Sequence, residues 1–456
     1  MRSSDPAFSA IRSNVPGIGW PPVSTGDSAL LASMLRQLDD TQWMTPESLT
    51  ALQFHQLDRV LAHCEKYSPQ FQRRLERAKL KRDDLLSPEG LRRLPVLRRR
   101  ELQSATDLFC SELPAGHLPF FVTQTSGSTG EPVVVRRTVI SQLDWSSMML
   151  REHLWHRRDF LKPLCAIRAN IAAPTRRENW GQPVSLLFET GPSLGIPITT
   201  DIEDQIALIR GFEPDNLLVY PSNLRAIART CAERGISLPG LRHIRTIGET
   251  LSLQLREEVK EIFDAGIEDC YSSQEIGCIA CECPDASLYH VMAETLIVEI
   301  LDADDAPCRE GQVGRVVVSD LHNFATPLIR YDIGDFAAPG PICSCGRGLP
   351  TLQRIYGRER NLILMPDGTR HWPLVGFDRF REIAPVIQYQ LVQDGREAIE
   401  LRLVTSRALS AVEERDLTAH IQASLGFAFA LRFTYFDREI PAGPTGKFDE
   451  FVCAVN

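Results

Sequence analysis

Between residues 164 and 266 the chain alternates short apolar runs with capped amphipathic ones, and this rhythm restricts the fold more than any other feature. Residues 164–171 read as a strand, and Thr200 or Asp201 caps a helix running through Arg210. A short apolar strand at 216–220 follows, then a helix at 223–233 capped by Ser222 and closed by Gly235. Residues 244–247 lead as a strand into Gly248-Glu249, and Ser252 caps a helix that stops at Gly266. Such alternation predicts an α/β fold, a mostly parallel sheet with helices packed on it.

The rest of the chain hangs on that unit. Residues 1–27 are rich in Ser, Pro and Gly without a period and read as a flexible arm. Two helices follow, at about 49–67 and from Ser68-Pro69 to about Ala78, the latter with Ser as cap and Pro at its first position. After about Glu294 the pattern turns to strands, at 296–301 and 314–319, which predicts a β-rich subdomain over about 294–356 of a large domain at 28–356. Near Gly357 a third pattern starts. Residues 387–392 and 398–404 flank Asp394-Gly395, a hairpin signal. A helix at 410–425 ends at Gly426, and 431–436 is a further strand, so 357–456 reads as a small α+β domain.

The loop Thr125-Ser126-Gly127-Ser128-Thr129-Gly130 lies between apolar runs at 120–122 and 133–135. Its glycines let backbone N–H groups converge, and its hydroxyls add small neutral donors, a combination that suits a polyphosphate. It is not a Walker A loop, because no Lys-Ser or Lys-Thr follows the last glycine. Taken alone, it is equally an ordinary polar turn.

Composition narrows the partners. The 456 residues are 43% hydrophobic and 24% charged, which is ordinary for a globular protein. A net charge of −9 argues against nucleic acid as the main partner. No apolar stretch is long enough to span a bilayer, and the N-terminus carries no apolar signal core, so no membrane role and a cytoplasmic location are expected. Twelve cysteines in such a chain are expected to be reduced thiols or metal ligands.

Five short stretches carry the chemistry: residues 125–132 (TSGSTGEP), Gly248-Glu249, Tyr271-Ser272-Ser273-Gln274-Glu275, residues 330–335 (RYDIGD) with Gly357-Arg358, and Pro444-Thr445-Gly446-Lys447. In this order and spacing the chain resembles the adenylate-forming superfamily of acyl-CoA synthetases and peptide-synthetase adenylation domains. Within it, the likeness is to the phenylacetate-CoA ligase family, over about residues 50 to 450. The resemblance implies a reaction that joins a carboxylate to the α-phosphorus of ATP and expels pyrophosphate. It assigns the 125–130 loop to the β and γ phosphates, and Glu275 to a Mg²⁺ ion that favours hard oxygen ligands. It assigns Tyr271, Ser272, Gly248 and Glu249 to the adenine side, and Asp335 and Arg358 to the ribose. Lys447 becomes the catalytic cation, a type of donor worth roughly 3–4 kcal/mol where water is excluded. Singly, each residue has a plainer reading: Tyr271 as a core or rim aromatic, Glu275 as a solvated carboxylate, Asp335 as a turn former and Lys447 as a surface lysine.

Three departures from the family pattern stand out. The adenine motif, usually Tyr-Gly-x-Thr-Glu, is Tyr-Ser-Ser-Gln-Glu, which shifts a phosphate contact toward Ser273 or Gln274. Asp332 takes the place of the arginine in the ribose motif. The hinge run is Gly357-Arg358-Glu359-Arg360-Asn361.

A metal-like set accompanies these motifs. Cys283-x6-His290 follows the adenine motif, and Cys343-Ser344-Cys345 precedes the hinge. Three thiolates and an imidazole make a tetrahedral zinc set, although the spacing is not a common zinc-finger form. Cys278 and Cys281 are rival ligands, and a cluster of buried free thiols is the plain alternative. Many phenylacetate-CoA ligase relatives carry such a structural zinc, so the resemblance favours Zn²⁺ on Cys283, His290, Cys343 and Cys345.

The acyl pocket is the least legible part. By resemblance it involves Trp145, Trp180, Gly181, Tyr220 and Thr246, whose aromatics suit an aryl or arylacetic acid. The expected function is therefore ATP- and Mg²⁺-dependent adenylation followed by transfer to CoA. Transfer to an amine, a hydroxyl or a carrier-protein thiol is the main rival, and an inactive nucleotide-binding relative is the other. A monomer or homodimer is expected.

Overall fold

The structure is a computed structural model, and it describes residues 11–104, 107–124, 132–358, 363–368, 370–371, 379–438, 440–441 and 450–455. The 125–130 loop and Lys447 lie outside the described residues, as does the side chain of Arg358.

The predicted alternation becomes one wing of a 12-stranded sheet. Across it run Leu296–Leu301, Gly314–Asp320, Tyr331–Pro339, Thr351–Arg358, Tyr289–Val291, Gly277–Glu282, Gly266–Ser273, His243–Ile247, Asn216–Val219, Leu164–Arg168, Ser193–Pro197 and Thr175–Arg177. From Gly266–Ser273 to Ser193–Pro197 the neighbours are parallel. The β-rich region after Glu294 forms no sheet of its own. Its strands extend this same sheet, with Leu296–Leu301 antiparallel to Gly314–Asp320, and the earlier strand Tyr289–Val291 joins the same wing antiparallel to Gly277–Glu282.

Strands Asn216–Val219, His243–Ile247 and Ser193–Pro197 of the parallel wing are largely buried, in line with their apolar runs. Ile244, Leu217, Ile167 and Ile196 pack against Ile206, Leu224, Ile227 and Val259 of the crossover helices Ile202–Phe212, Pro221–Arg234 and Leu253–Phe263. Gly235 takes φ +62 at the end of the second helix, as a closing glycine should.

The N-terminal arm differs from expectation. From Ile11 on, the chain is docked: Ile11 bridges Phe188, and Arg12 N–H donates to Leu187 O at 2.8 Å. A helix at Gly26–Thr41 follows, with Leu31, Leu35 and Leu38 buried along one face. That spacing was present in the sequence, and the helix was missed because the Ser/Pro/Gly-rich stretch before it masked its start.

The chain divides into two compact units. One comprises Met1–Ile333 and Ala337–Ile355, the other Gly334–Phe336 and Tyr356–Asn456. In the second, a four-stranded sheet packs the helix Ala411–Leu425 through Leu391, Leu401, Leu417, Ile421 and Phe429. Its hairpin turns two residues later than expected, at Arg396-Glu397, because strand Val386–Gly395 continues through Asp394-Gly395 and a register shift places Gly395 opposite Ala398. No helix among the described residues is long and apolar enough to cross a membrane.

Candidate active site

Three of the expected motifs meet at the carboxyl ends of adjacent parallel strands. Asn216–Val219 delivers Tyr220, His243–Ile247 delivers Gly248, and Gly266–Ser273 delivers the Tyr271–Glu275 run. Gly248 holds φ +75, and a Cβ there would come within 3.2 Å of the Tyr220 ring. Its neighbour Glu249 is occupied locally. It accepts from Ser222 N–H at 2.8 Å and Ser222 Oγ at 3.0 Å. The sequence reading made Ser222 the cap of the next helix, but that helix starts at Pro221 with Tyr220 as its cap residue, and Ser222 belongs to its first turn. Glu249 therefore supplies an acceptor to the helix N-terminus, where negative charge is favoured.

Glu275 sits at the tip of the hairpin formed by Gly266–Ser273 and Gly277–Glu282. It is not a solvated carboxylate: it is 2% exposed, and its Oε1 accepts from Arg99 Nη1 at 2.9 Å. Burying an unpaired carboxylate would cost several kcal/mol, so the arginine is what permits this position. Ser273 Oγ accepts from Ile276 N–H at 3.1 Å and shapes the turn. Tyr271 is buried, 8% exposed, in the core cluster that includes Cys270, Ile276 and Ala280, so little of its ring is open to a ligand. Ser272 faces Cys278 across the hairpin.

The basic run before the first hairpin was not recognised as part of the site. Beside Arg99, Arg98 Nη1 donates to Asp332 Oδ2 at 2.6 Å, and Arg315 Nη1 donates to the same oxygen at 2.9 Å. Leu97 adds a backbone bridge to Tyr331. Asp332 is thus neutralised by two arginines that come to it from elsewhere in the sequence. Three consecutive arginines, Arg98 to Arg100, were the available signal. Asp335 is buried on strand Tyr331–Pro339 after Gly334, whose φ of +82 favours glycine.

Trp145 lies on the helix Val139–Trp155, with the Arg137 guanidinium 4.5 Å above its ring. Arg137 also donates to Ser141 O at 3.2 Å. A Cβ on Gly277 would meet Arg137 Nη2 at 3.0 Å and Trp145 Cε3 at 3.1 Å, so the hairpin can approach this helix only with glycine there. Asp144, one residue before Trp145, pairs with His322 Nδ1 at 2.9 Å. Burial alone would lower the His322 pKa, but the Asp144 carboxylate outweighs it and holds the imidazole above its ordinary value. The cavity between Trp145, Asp144, Ile276 and Cys278 measures about 20 Å³, room for one water and not for an aromatic ring.

Trp180 does not join this pocket. It packs with Phe188, Val184 and Leu31 in another core cluster, and its Nε1–H donates to Lys162 O at 2.8 Å. The larger cavity, of about 2120 Å³, is lined by Ile11, Arg36, Trp43, Arg157 and Arg347, and by none of the expected site residues.

The metal-like set comes together. Cys283, His290, Cys343 and Cys345 place their ligand atoms within 4.8 Å of one another. Cys343 Sγ is 3.7 Å from Cys283 Sγ, and Cys345 Sγ is 3.3 Å from His290 Nε2. The two rivals, Cys278 and Cys281, are not part of it; they group with Cys270.

No protein-family model matches the chain. Among curated proteins it is similar to the phenylacetate-coenzyme A ligase of Thermus thermophilus, 25% identical over 336 residues covering 70% of this chain and 72% of that one. The phenylacetate-coenzyme A ligase of Escherichia coli is 24% identical over 347 residues, 72% of this chain and 75% of its own. Among solved structures, a 2-hydroxyisobutyryl-CoA ligase in the postadenylation state shares the fold with a TM-score of 0.71, 18% identity and 88% coverage of both chains. The chain thus shares that fold and, over about 70% of its length, is similar to several phenylacetate-CoA ligases.

Proposed function

We propose that the protein is an AMP-forming acid–thiol ligase that adenylates a carboxylic acid with ATP and passes the acyl group to CoA. The observation that carries this reading is the meeting of Tyr220, Gly248 and the Tyr271–Glu275 turn at the carboxyl ends of three neighbouring parallel strands. Open α/β sheets bind ligands at that edge.

In the first step an oxygen of the substrate carboxylate forms a bond to the α-phosphorus, and the bond to the bridging oxygen breaks with its electron pair leaving on pyrophosphate. In the second, the CoA thiol gives up its proton and attacks the acyl carbonyl, and AMP leaves. Splitting the transfer through a mixed anhydride replaces one difficult step by two easier ones. The hydroxyls and amides of Thr125 to Gly130 hold the β and γ phosphates. Gly248 and the edge of Tyr271 flank adenine, and Asp335 and Arg358 take the ribose. Lys447 draws the carboxylate and α-phosphate together.

Glu275 is the residue that would hold Mg²⁺, being a hard oxygen donor already kept beside a cation. When bound, the ion neutralises phosphate charge as pyrophosphate departs. The Cys283, His290, Cys343 and Cys345 set fits Zn²⁺ by ligand type and number, with no open position, so that its role is structural. The small unit, residues 357–456, carries Lys447 and reorients between the two steps by a few backbone torsions. The acid is aryl or arylacetic, on the strength of the Tyr220 ring, which lies against Gly248 at the motif loops. A cytoplasmic location agrees with twelve cysteines that are all free thiols.

The test is acid-dependent ATP–pyrophosphate exchange across aryl, arylacetic, amino and fatty acids, followed by a thioester assay with CoA. Exchange plus thioester is expected for an aromatic acid. Exchange without CoA thioester would move the acceptor to an amine, hydroxyl or carrier thiol, and no exchange with any acid would overturn the reading.

A further inference from the structure

Behind the Tyr271–Glu275 turn, the same hairpin brings three cysteines to one point. Cys270 lies on Gly266–Ser273, directly opposite Cys281 on Gly277–Glu282. Cys278 lies three residues before Cys281 on that second strand, a spacing that in a regular strand would send the two side chains to opposite faces. The register shifts here: Tyr271 faces Ala280, but Ser272 faces Cys278, so that Ile279 is an extra residue. This bulge returns Cys278 to the face of Cys270 and Cys281.

The resulting sulfur triangle has sides of 3.8 Å between Cys270 and Cys278, 3.9 Å between Cys270 and Cys281, and 3.4 Å between Cys278 and Cys281. A planar three-sulfur site with metal–sulfur bonds of about 2.3 Å needs sulfurs about 4.0 Å apart, so small side-chain adjustments admit one ion. All three cysteines are buried, and no fourth His, Cys, Asp or Glu among the described residues joins the group. A tetrahedral ion would therefore lack a protein ligand there. Arg245 lies against Cys270 and Cys281 and is itself tied to Glu152 at 3.0 Å, which sets a fixed positive charge beside the sulfurs. Soft thiolates without oxygen or nitrogen partners select soft ions.

We propose that Cys270, Cys278 and Cys281 form a second metal site, distinct from the Cys283–His290–Cys343–Cys345 set, that takes one thiophilic ion of the Cu(I) class in three-coordinate sulfur ligation. Binding exchanges the three thiol protons for the ion. It ties both strands of the hairpin across the bulge, at the base of the turn that carries Glu275.

The experiment titrates the full-length, zinc-loaded protein anaerobically with Cu(I) against a competing Cu(I) chelator. Metal content is counted by native mass spectrometry, and the copper environment is read by X-ray absorption. One copper per chain with zinc retained, three sulfur neighbours and no nitrogen or oxygen is the expected result. Cys278→Ser and Cys281→Ser should each lose that copper and keep the zinc. The absorption spectrum of the unaltered protein decides the matter even if a variant does not fold. No uptake against the chelator, copper that enters only as zinc leaves, or copper retained in both serine variants would each overturn the proposal.

Discussion

Arg99 Nη1 donates to Glu275 Oε1 across 2.9 Å, joining a short helix that precedes the first hairpin to the tip of the hairpin that carries the adenine motif. Glu275 is 2% exposed, and the Arg99 side chain is 18% exposed. The carboxylate expected to meet Mg²⁺ thus already has a cation, and metal binding must share or displace it.

Arg99→Ala should consequently destabilise the protein by about 3 kcal/mol, since it strands a buried charge. MgATP should restore part of that loss, because the incoming ion takes over the neutralisation. Thermal melts with and without MgATP measure this, and the ligand-induced rise in Tm should be larger in the variant than in the unaltered protein. Equal rises would mean that Glu275 does not meet the metal.

Lys447→Ala tests the other end of the reaction. Loss of one charge-stabilising donor lowers a rate by about 100- to 1,000-fold. Pyrophosphate exchange should fall by that order, while ATP binding measured by calorimetry stays within a few-fold. Exchange at the normal rate would remove Lys447 from the adenylation step.

Much of this arrangement was legible in the sequence, and the parts that were not share a cause. Helix boundaries with strong local chemistry were read nearly to the residue, as with Ser410 capping Ala411–Leu425 and Gly426 closing it. The parallel wing followed from alternation alone. What sequence could not give was partnership over long separations: Arg99 with Glu275 is 176 positions apart, and Arg98 with Asp332 is 234. A long arginine reads as surface in any local window, and only the fold shows which carboxylate it reaches. Parity failed for a related reason. Cys278 and Cys281 read as rivals for the His290 set, but Cys281 lies opposite Cys270 and a one-residue bulge turns Cys278 to the same face. Trp180 fills a core cluster apart from Trp145, because aromaticity does not say which core an aromatic fills.

Gly277→Ala should be costly at a site with no functional group of its own. Gly277 has φ +101, and the added Cβ would meet Arg137 and Trp145 at 3.0 and 3.1 Å. Strain of this kind costs about 1–3 kcal/mol. Chemical denaturation should show a loss in that range, and a midpoint equal to that of the unaltered protein would mean that the hairpin moves away from the helix without cost.

Removing metal from the Cys283, His290, Cys343 and Cys345 set should loosen the antiparallel wing, because its ligands come from separate segments near Tyr289–Val291 and Thr351–Arg358. A strong chelator is expected to lower Tm by several degrees, consistent with a loss of about 1–2 kcal/mol or more. Zinc should reverse the effect, and Cys343→Ser should abolish it. A chelated protein as stable as the untreated one would rule out a structural metal.

The last prediction concerns pH, where two buried ion pairs act in opposite directions. Glu152 is pushed upward by burial, but Arg158, at 2.6 Å, and Arg245 overcome this and hold its carboxyl well below the usual range. A depressed carboxyl pKa stabilises the fold above the unfolded value of about 4.3, and that contribution drains away as pH falls below it. His322 carries the reverse sign. Burial lowers its pKa and Asp144 raises it further than burial lowers it, so the net shift is upward. Its contribution is complete below the unfolded value of about 6.5 and is lost as pH rises through the folded one. Stability should therefore fall on the acid side below about pH 4.3 and ease downward again above about pH 6.5. Asp144→Asn should flatten the alkaline decline and leave the acid limb in place. Denaturant midpoints measured from about pH 2 to 9 in both proteins decide it; an unchanged alkaline slope in the variant would show that the Asp144–His322 pair does not set it.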